Sequence, residues 1–320
     1  MSTPEDLTER IKAKAFALGF DACGIARAEY LEEDAMRLEK WLQAEYHGKM
    51  GYMENHREKR TDPRKLVKGA QSVVSVIMNY FPRRSRTPSN EGIPVLSKYA
   101  YGTDYHFVIK DRLKELLNFI REEAPGTTGR PFVDSAPVLD RAWAVKAGLG
   151  WIGKNANLIH PVIGSFVFIG ELIIDLPLKY NTDTVKDYCG NCRKCIDACP
   201  TTAIISPRQI DGTKCLSYQT IELHDEIDSE IKPHLHERAF GCDICQDVCP
   251  WNSSAKPHEI KELEASDDLL NLSAGDWYNM EKQTFKKVFK NSAVQRAGYK
   301  KLKMTLNTLQ ENQNDQQADS

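Results

Sequence analysis

The first 180 residues of the chain alternate between helical and strand-like patterns of apolar side chains. Between Thr3 and Gly19, apolar residues recur on one face and Pro4 stands in the first turn, which predicts an amphipathic helix. Residues 31–46, 105–123 and 138–148 show similar helical patterns. Short apolar runs at residues 22–26, 72–80, 131–134 and 164–174 predict strands. This alternation predicts an α/β domain over residues 1–180.

The pattern changes twice after residue 180. Residues 181–258 combine closely spaced cysteines with short helical turns, and residues 259–309 are helical and locally basic. Residues 310–320 contain no apolar anchors, which predicts a disordered tail. Residues 83–91 are rich in Pro, Ser and charge, which predicts a surface loop.

Composition narrows the class of protein. A chain of 320 residues with 41% hydrophobic content can form two or three domains, each with its own core. The 43 basic and 45 acidic side chains nearly cancel, so a polyanionic partner must be held by a local patch. The N-terminal sequence MSTPEDLTER does not resemble a signal peptide, and charged residues interrupt the apolar stretch 162–178. We therefore expect a cytoplasmic protein that does not contact a membrane.

Eight of the nine cysteines lie between Cys189 and Cys249, in two related motifs. The first motif is C-x2-C-x2-C-x3-C-P from Cys189 to Pro200, the spacing of bacterial ferredoxins. The second, C-x2-C-x3-C-P, begins at Cys242 and lacks an opening cysteine, for which Cys215 is the spare thiol nearby. The ninth, Cys23, lies in an apolar run and is predicted to be a small buried hydrophobic residue.

Ferredoxin-type spacing also predicts how the ligands are shared between two 4Fe-4S clusters. The fourth cysteine of such a run usually binds the neighbouring cluster. One cluster is therefore expected on Cys189, Cys192, Cys195 and Cys249, and the other on Cys199, Cys215, Cys242 and Cys245. Zinc is the alternative, but zinc sites usually show separated C-x2-C pairs, so the compact spacing favours iron and sulfur. Because such clusters move single electrons, the domain order predicts an electron relay into a reductive site.

The segment FVDSAPVLDRAWAVKAGLGWIGKNANLIHPVIGSFVFIGE, residues 132–171, resembles the epoxyqueuosine reductases, which are cobalamin-dependent iron–sulfur enzymes of tRNA modification. The resemblance extends over nearly the whole chain. Further matching blocks are SKYAYGTDYH at 97–106, KCLSYQTIE at 214–222, AVQRAGYKKLK at 293–303 and both cysteine motifs.

This resemblance implies a two-electron reduction of epoxyqueuosine to queuosine and water at the wobble position of the tRNA anticodon. It implies an α+β fold: a nitroreductase-like cobalamin-binding domain at 1–180, a ferredoxin-like two-cluster domain at 181–258 and a helical tRNA-contacting segment at 259–309. The implied cofactors are base-off cobalamin and two 4Fe-4S clusters. The implied partners are tRNA carrying epoxyqueuosine and an external low-potential electron donor, and we expect a monomer.

Asp134 follows a predicted strand and precedes a Ser-Ala-Pro turn. From the local pattern alone, it could equally cap the helix that starts near Val138. The resemblance instead implies that Asp134 is the proton donor beside the cobalt. Losing the epoxide oxygen as water requires protons, so we expect burial to keep the Asp134 carboxyl protonated.

The resemblance also implies a set of cobalamin contacts. Glycines within residues 148–159 would let the backbone approach a planar ligand, and polar side chains there offer hydrogen-bond donors. His106 could ligate the cobalt, but we expect it to be a structural pocket residue beside Tyr105, because an unligated lower face leaves the cobalt more reactive. The expected cobalamin-binding residues are Arg57, Ser97, Asp134, Lys154, Asn155, Asn157, Leu158 and Ser217.

Eight basic residues lie between Lys282 and Lys303 with no acidic residue among them. Aromatic residues interleave with the basic ones, so an apolar side can pack on the protein while a basic side meets phosphates. The alternative is an ordinary solvated helix face. The expected tRNA contacts are Glu222, His224, Lys286, Lys287, Arg296, Lys300 and Lys301.

Two other functions compete with tRNA reduction. A small-molecule corrinoid reductase of the reductive dehalogenase type would share the clusters and the corrinoid, but it would not need the basic C-terminal segment. A ferredoxin-like electron carrier would not need Asp134 or the glycine-rich stretch at 148–159. The sequence therefore favours the tRNA-acting reductase.

Overall fold

The computed structural model of the chain describes residues 3–89 and 91–318. The strands in these ranges are β1 (Ala22–Arg27), β2 (Ser72–Asn79), β3 (Val95–Leu96), β4 (Gly129–Phe132), β5 (Trp151–Ile152), β6 (Leu158–Ile159), β7 (Val167–Ile174), β8 (Ile204–Ser206), β9 (Gln209–Ile210) and β10 (Arg238–Phe240). The helices are α1 (Pro4–Ala17), α2 (Glu32–Gln43), α3 (Arg57–Thr61), α4 (Tyr105–Glu123), α5 (Asp140–Lys146), α6 (Lys194–Asp197), α7 (Leu216–Ile221), α8 (Ile244–Asp247), α9 (Asp267–Leu270), α10 (Ala274–Tyr278), α11 (Lys282–Val288), α12 (Ala293–Ala297) and α13 (Tyr299–Ala318).

A four-stranded antiparallel sheet forms the centre of the first half of the chain, with strand order β1-β2-β7-β4. All residues of β2 are buried. Because successive side chains of a strand point to opposite sides, the sheet is covered on both faces at β2. Val74 and Val76 face a core formed with α1 and α4, whereas Val73 and Ile77 face α5. The predicted mixture of helices and sheet is confirmed, and helix 105–123 has the predicted bounds.

Cys23 lies in β1 and faces the α1–α4 side of the sheet. Burial raises the pKa of its thiol to about 12, so it stays neutral and packs as an apolar group. Within the described ranges, the helices are all too short or too polar to cross a bilayer.

A second core joins the helical C-terminal segment to part of the cysteine-containing region. Trp277 and Phe289 pack there against Leu216 and Phe240, and the buried face of α13 closes the cluster. The parallel pair of β3 and β10 connects this core to the first half of the chain. Residues from the predicted units 181–258 and 259–309 therefore share one core.

The prediction of a disordered tail over residues 310–320 is wrong as far as Ala318, because α13 continues through these residues. Polar contacts take the place of apolar anchors here. The Asn312 side-chain amide donates to the Lys232 carbonyl at 2.7 Å, and that of Gln313 donates to the Tyr278 hydroxyl at 2.7 Å. Residues 319 and 320 lie outside the described part of the chain.

The segment 83–91 forms no helix or strand in its described residues, as the loop prediction expected. It is nevertheless attached to the body of the protein. The Arg86 guanidinium donates to the Leu270 carbonyl, and the Ser89 N–H donates to the Glu237 carboxylate at 2.7 Å.

Candidate active site

Asp134 stands at the tip of a tight turn that follows β4. The Ser135 N–H donates to the Val133 carbonyl at 2.5 Å, and Asp134 adopts a left-handed backbone with φ of 48°. Asp and Asn tolerate this conformation better than most residues. Helix α5 begins only at Asp140, where Leu139 is the N-cap residue and no side chain caps it. The alternative that Asp134 caps this helix is therefore wrong.

The first turn of α4 supplies the partners of Asp134. The Tyr105 hydroxyl donates to Asp134 Oδ2 at 2.5 Å, and His106 Nε2 lies 3.6 Å from the same oxygen. The Asp104 side chain caps α4 and also contacts His106 Nδ1 at 2.7 Å. Tyr105 stacks on Phe168 with ring centres 4.2 Å apart, which fixes the direction of its hydroxyl.

The surroundings of the Asp134 carboxyl favour its ionised form, whereas the sequence analysis expected it to be protonated. Burial favours the neutral carboxyl, but hydrogen bonds from His106 and Tyr105 outweigh it and hold the pKa of Asp134 below its ordinary value. The Asp134 side chain is 56% exposed in a concave part of the surface, so solvent also supports its charge. In this structure the contacts of Asp134 favour its carboxylate form, and its protonation during the reaction stays a prediction.

His106 is the second titratable group of this site. Burial alone would lower the pKa of His106, but hydrogen bonds and charges from Asp104 and Asp134 raise it to about 9. The two carboxylates thus favour the imidazolium form of His106 at neutral pH, whereas the neighbouring Arg296 guanidinium favours the neutral form.

Arg296, at α12, brings the C-terminal segment to the same imidazole. Its Nη1 lies 3.1 Å from His106 Nε2, the nitrogen that also faces Asp134. A protonated Nε2 can donate to Asp134, whereas a neutral Nε2 can accept from Arg296. Arg296 was expected to contact tRNA, and it lies beside the proton-bearing group.

Glu222 and Tyr52 border the same cleft. Burial raises the pKa of Glu222, and the Asp134 charge raises it further while Arg296 lowers it. Burial likewise raises the pKa of Tyr52, with additional contributions from Glu222 and Asp134. Residues from α4, α7, α12 and the turn after β4 therefore meet around one partly exposed carboxylate.

The eight clustered cysteines fall into two groups in space. Cys189, Cys192, Cys195 and Cys249 line one cavity of about 340 Å³, and their charges act on one another. Cys215 and Cys242 act on the thiol of Cys245, and Cys199 acts on Cys215. These interactions are compatible with the two sets predicted from the ferredoxin spacing, although Cys195 also acts on Cys245 across them, and the assignment of ligands to clusters stays a prediction. Within residues 3–89 and 91–318, no three His, Cys, Asp or Glu side chains converge as the ligands of a single metal ion would.

The second set lies deeper in the protein than the first. Burial raises the pKa of Cys242 to about 12 and that of Cys245 well above its ordinary value. The first set opens to a cavity bordered by Tyr188 and Trp251, and about half of the Tyr188 side chain is exposed. We call these the inner and the outer cysteine sets.

The glycine-rich stretch 148–159 folds into the β5–β6 hairpin beside both sets. A Cβ atom on Gly150 would lie 2.2 Å from the Ile159 carbonyl oxygen, and one on Gly153 would lie 2.5 Å from Ile159 Cδ1. The packing of the hairpin itself thus requires glycine at both positions, and the approach of a planar ligand to this backbone stays a prediction. Leu158 is buried in the α5 core.

The polar residues of this hairpin contact the cysteine loops. The Lys154 ammonium donates to the Gly190 and Cys192 carbonyls at 2.6 and 2.7 Å. The Asn155 side chain donates to the Cys245 carbonyl at 3.2 Å, and the Asn157 amide lies 4.0 Å from Cys245 Sγ. They connect the first domain to both cysteine sets.

The other three expected cobalamin contacts are dispersed. Arg57 pairs with Glu39 at 2.8 Å on the surface. The Ser97 hydroxyl is buried and donates to Asp243, between Cys242 and Cys245, at 2.5 Å. Ser217 lies half-buried on α7.

The basic segment is only partly available to a polyanion. Lys286, Lys287 and Lys300 are exposed, although Lys287 also pairs with Asp268 at 2.9 Å. Lys301 is only 3% exposed, and its ammonium donates to the Gln219 carbonyl at 2.6 Å. Burial lowers the pKa of Lys301 to about 8. The expectation that Lys301 meets a phosphate is therefore wrong, because its ammonium group is buried and hydrogen-bonded inside the protein.

His224 and Lys300 border a cavity of about 360 Å³ beside α13.

Known proteins match the chain over nearly its full length. Residues 60–135 match the family described as epoxyqueuosine reductase QueG, DUF1730, and residues 188–252 match the 4Fe-4S double cluster binding domain. An epoxyqueuosine reductase from Cyclobacterium marinum is 55% identical over 92% of this chain and 94% of its own length. The Escherichia coli epoxyqueuosine reductase is 38% identical over 93% of this chain and 80% of its own length.

The chain belongs to the epoxyqueuosine reductase family.

A solved epoxyqueuosine reductase bound to an epoxyqueuosine-modified tRNA-Tyr stem loop has the same fold, with a TM-score of 0.89 and 28% identity over 96% of this chain and 81% of that one. Membership makes the chain an oxidoreductase, and the double-cluster domain decides between iron–sulfur clusters and zinc.

The sequence analysis did not identify two residues of this site. Asp104 lies two residues before His106 at a helix start, a spacing that could have suggested a carboxylate–imidazole pair. Tyr52 lies in a short turn of the chain at 51–53, and no local pattern indicates its place in the cleft.

Proposed function

We propose that the protein reduces epoxyqueuosine to queuosine at the wobble position of tRNA, with electrons that pass through two 4Fe-4S clusters to cobalamin. The observation that supports this most strongly is the meeting of Asp134, Tyr105 and His106 with Arg296. A proton-holding site of the first domain thereby touches the basic C-terminal segment. A tRNA-acting reductase requires both features at one place.

The reaction balance explains why a proton-holding site is needed. Removing the epoxide oxygen as water and forming the carbon–carbon double bond of queuosine consumes two electrons and two protons. The developing alkoxide must receive a proton from a group that is protonated at neutral pH. His106 meets that condition, because Asp104 and Asp134 raise its pKa to about 9.

Asp134 and Arg296 prepare His106 for this transfer. The Asp134 carboxylate accepts from Tyr105 and faces His106 Nε2, so it can pass a proton towards an oxygen bound above the exposed turn. Once Nε2 has lost its proton, it can accept from the Arg296 guanidinium 3.1 Å away. Asp134 therefore acts as the transfer group and His106 as its proton source, while Arg296 stabilises the neutral imidazole.

The residues beside the inner cysteine set fit a large amide-bearing cofactor. Asn157 is half-buried, and the Cys245 sulfur at 4.0 Å is a weak partner that leaves most of its amide hydrogen-bonding capacity unused. Asp134 offers an exposed carboxylate, and about half of the Tyr52 side chain is open to the cleft. Asn157, Asp134 and Tyr52 would contact cobalamin, which when bound supplies a strongly reducing cobalt centre.

The two cysteine sets suggest the order of electron transfer. The outer set, Cys189, Cys192, Cys195 and Cys249, borders an open cavity, so an external low-potential donor would reduce a cluster held there first. The inner set lies beside Asn157 and so would pass electrons onward. This order follows from accessibility alone and needs no movement of the domains.

Substrate recognition rests on the exposed part of the basic segment. Lys286 and Lys300 are free to meet phosphates, and Glu222 and Arg296 face the cleft where a splayed wobble base would enter. A small-molecule reductase would require none of these groups.

The proposal is tested by anaerobic turnover with purified protein, cobalamin, a low-potential reductant and tRNA carrying epoxyqueuosine. Nucleoside mass spectrometry should show conversion to queuosine, with loss of conversion when cobalamin is omitted. A parallel reaction with a small halogenated phenol tests the competing function. Dehalogenation without any tRNA conversion would overturn the proposal.

A further inference from the structure

An unusual polar group lies in the otherwise apolar core between the central sheet and α5. Glu171, in the middle of β7, is 0% exposed, and neither of its carboxyl oxygens has a hydrogen-bond partner among the described residues. Ser75 pairs with it across β2, is also 0% exposed, and its hydroxyl is likewise without a partner. Directly opposed residues of antiparallel strands point to the same face, so both side chains enter the α5 core.

The first residue of α5 completes this group. Asp140 is half-buried and has one buried carboxyl oxygen without a partner. Burial raises the pKa of Asp140 and of Glu171; the Asp140 charge raises the pKa of Glu171 further, whereas the neighbouring Glu171 carboxyl lowers that of Asp140. Two adjacent carboxyl groups in such surroundings cannot both be ionised, so the pair holds at least one proton at neutral pH.

No cation neutralises the pair through a hydrogen bond in the described part of the chain. The Arg60 guanidinium donates to the Tyr52 and Asn55 carbonyls, and that of Arg141 donates to the Ala156 carbonyl. These side chains act on Asp140 only through their charge. The charged and titratable groups around the pair are Arg60, Arg141 and Asp134.

The pair is connected to the candidate active site through the sheet. Glu171 pairs with Phe132, the last residue of β4, and Asp134 lies two residues later, in the turn that follows this strand. At about 3.3 Å per residue, that places the Asp134 backbone within about 7 Å of the Phe132 position. The Asp134 charge acts on both Asp140 and Glu171. Asp140 is half-buried and Glu171 fully buried, so Asp140 is the member of the pair that is accessible from the surface.

We propose that Asp140 and Glu171 form a proton store that delivers, through Asp134, the second of the two protons consumed in each turnover. This inference rests on the proposed function. His106 supplies the first proton to the epoxide oxygen, and the Asp140–Glu171 pair supplies the second, so that the oxygen leaves as water. The pair gains one negative charge, regains its proton from solvent after turnover and exchanges no electrons.

The stored proton can be observed directly. A protonated carboxyl group has an infrared carbonyl band that an ionised carboxylate lacks. We expect the wild-type protein, loaded with its clusters, to show this band at neutral pH, and Glu171→Gln to lack it. Identical spectra of the two proteins in this region would overturn the proposal. This measurement needs neither tRNA nor turnover.

The role of the proton is tested by single-turnover conversion of epoxyqueuosine tRNA at equal cluster and cobalamin content. Glu171→Gln keeps the shape of the side chain but cannot act as an acid, so we expect a rate about 10²-fold lower, with unchanged tRNA binding. The solvent deuterium isotope effect should also increase. Ile173→Val is the matched control, because Ile173 lies on the same face of β7 and is also 0% exposed. It should keep the wild-type rate and isotope effect.

Asp140→Asn provides a second test if Glu171→Gln does not fold, because Asp140 lies at the edge of the core. It should also slow conversion without weakening tRNA binding. A wild-type rate and isotope effect in either folded variant would overturn the proton store. Failure of the wild-type protein itself to form queuosine would instead overturn the proposed function, and the infrared result would still decide whether the proton is present.

Discussion

The replacement Asp134→Asn separates the chemistry of this site from its structure. The left-handed backbone at Asp134 suits Asn as well as Asp, so the turn after β4 should persist. The amide oxygen can still accept from the Tyr105 hydroxyl. What the variant loses is the negative charge that faces His106 and the ability to pass a proton.

The two consequences differ in size. In water, opposite unit charges 3.6 Å apart attract by about 1.2 kcal/mol, and this high-dielectric value applies because Asp134 is 56% exposed. The free energy of unfolding should therefore fall by about 1 kcal/mol. General acid catalysis is typically worth 10²–10⁴-fold, or about 3 to 5 kcal/mol in the activation free energy. Turnover should thus suffer far more than stability.

The assay is single-turnover queuosine formation at equal iron, cobalamin and tRNA occupancy, beside a thermal unfolding curve. Asp111→Asn is the matched control, since Asp111 lies on the exposed face of α4 and its ion pair within residues 3–89 and 91–318 is with Lys114. The control should match the wild type in both measurements. If Asp134→Asn converted its substrate at near the wild-type rate, Asp134 would have no part in proton transfer.

Three further results are expected. Cys215→Ala should lower the iron content from about eight to about four per chain, because it removes one ligand of the inner set. The control variant Cys23→Ala should keep all of its iron. An unchanged iron content in Cys215→Ala would contradict the ligand assignment. The wild-type rate of queuosine formation should fall as pH rises through about 9, where His106 loses its proton. His106→Gln should not show this fall in rate at alkaline pH. The same fall in the variant would exclude His106 as the proton source. Removing two exposed lysines should reduce the salt dependence of tRNA binding by about 1.5 logarithmic units per decade of salt, and an unchanged slope would identify a merely solvated face. The test pair is Lys286→Ala with Lys300→Ala, and the control pair is Lys65→Ala with Lys68→Ala.

Much of the fold could be predicted from local patterns. The bounds of α4 were predicted accurately because a long helical period of apolar residues runs through it, although its N-cap residue, Asp104, was not identified from the sequence. The division of the cysteines into two sets was predicted from their spacing, because the short turns between them restrict the direction in which each thiol can point. Asp134 itself was chosen by resemblance, since a lone Asp before a turn is ambiguous.

The remaining features depend on contacts between distant parts of the chain. The ionised state of Asp134 depends on His106, which precedes it by 28 positions, and the burial of Lys301 depends on α7. The helical continuation to Ala318 depends on single hydrogen bonds that no composition reveals. The glycines at 150 and 153 serve their own hairpin, a role that sequence cannot distinguish from ligand binding.

The central claim is that this site removes the epoxide oxygen of a tRNA nucleoside as water. It is tested most directly with tRNA whose epoxide carries oxygen-18, incubated anaerobically with reduced, cobalamin-loaded protein and then digested for nucleoside mass spectrometry. We expect queuosine that lacks the label, with the labelled oxygen recovered in water. A product that keeps the label as a hydroxyl group would show ring opening instead of the proposed reduction.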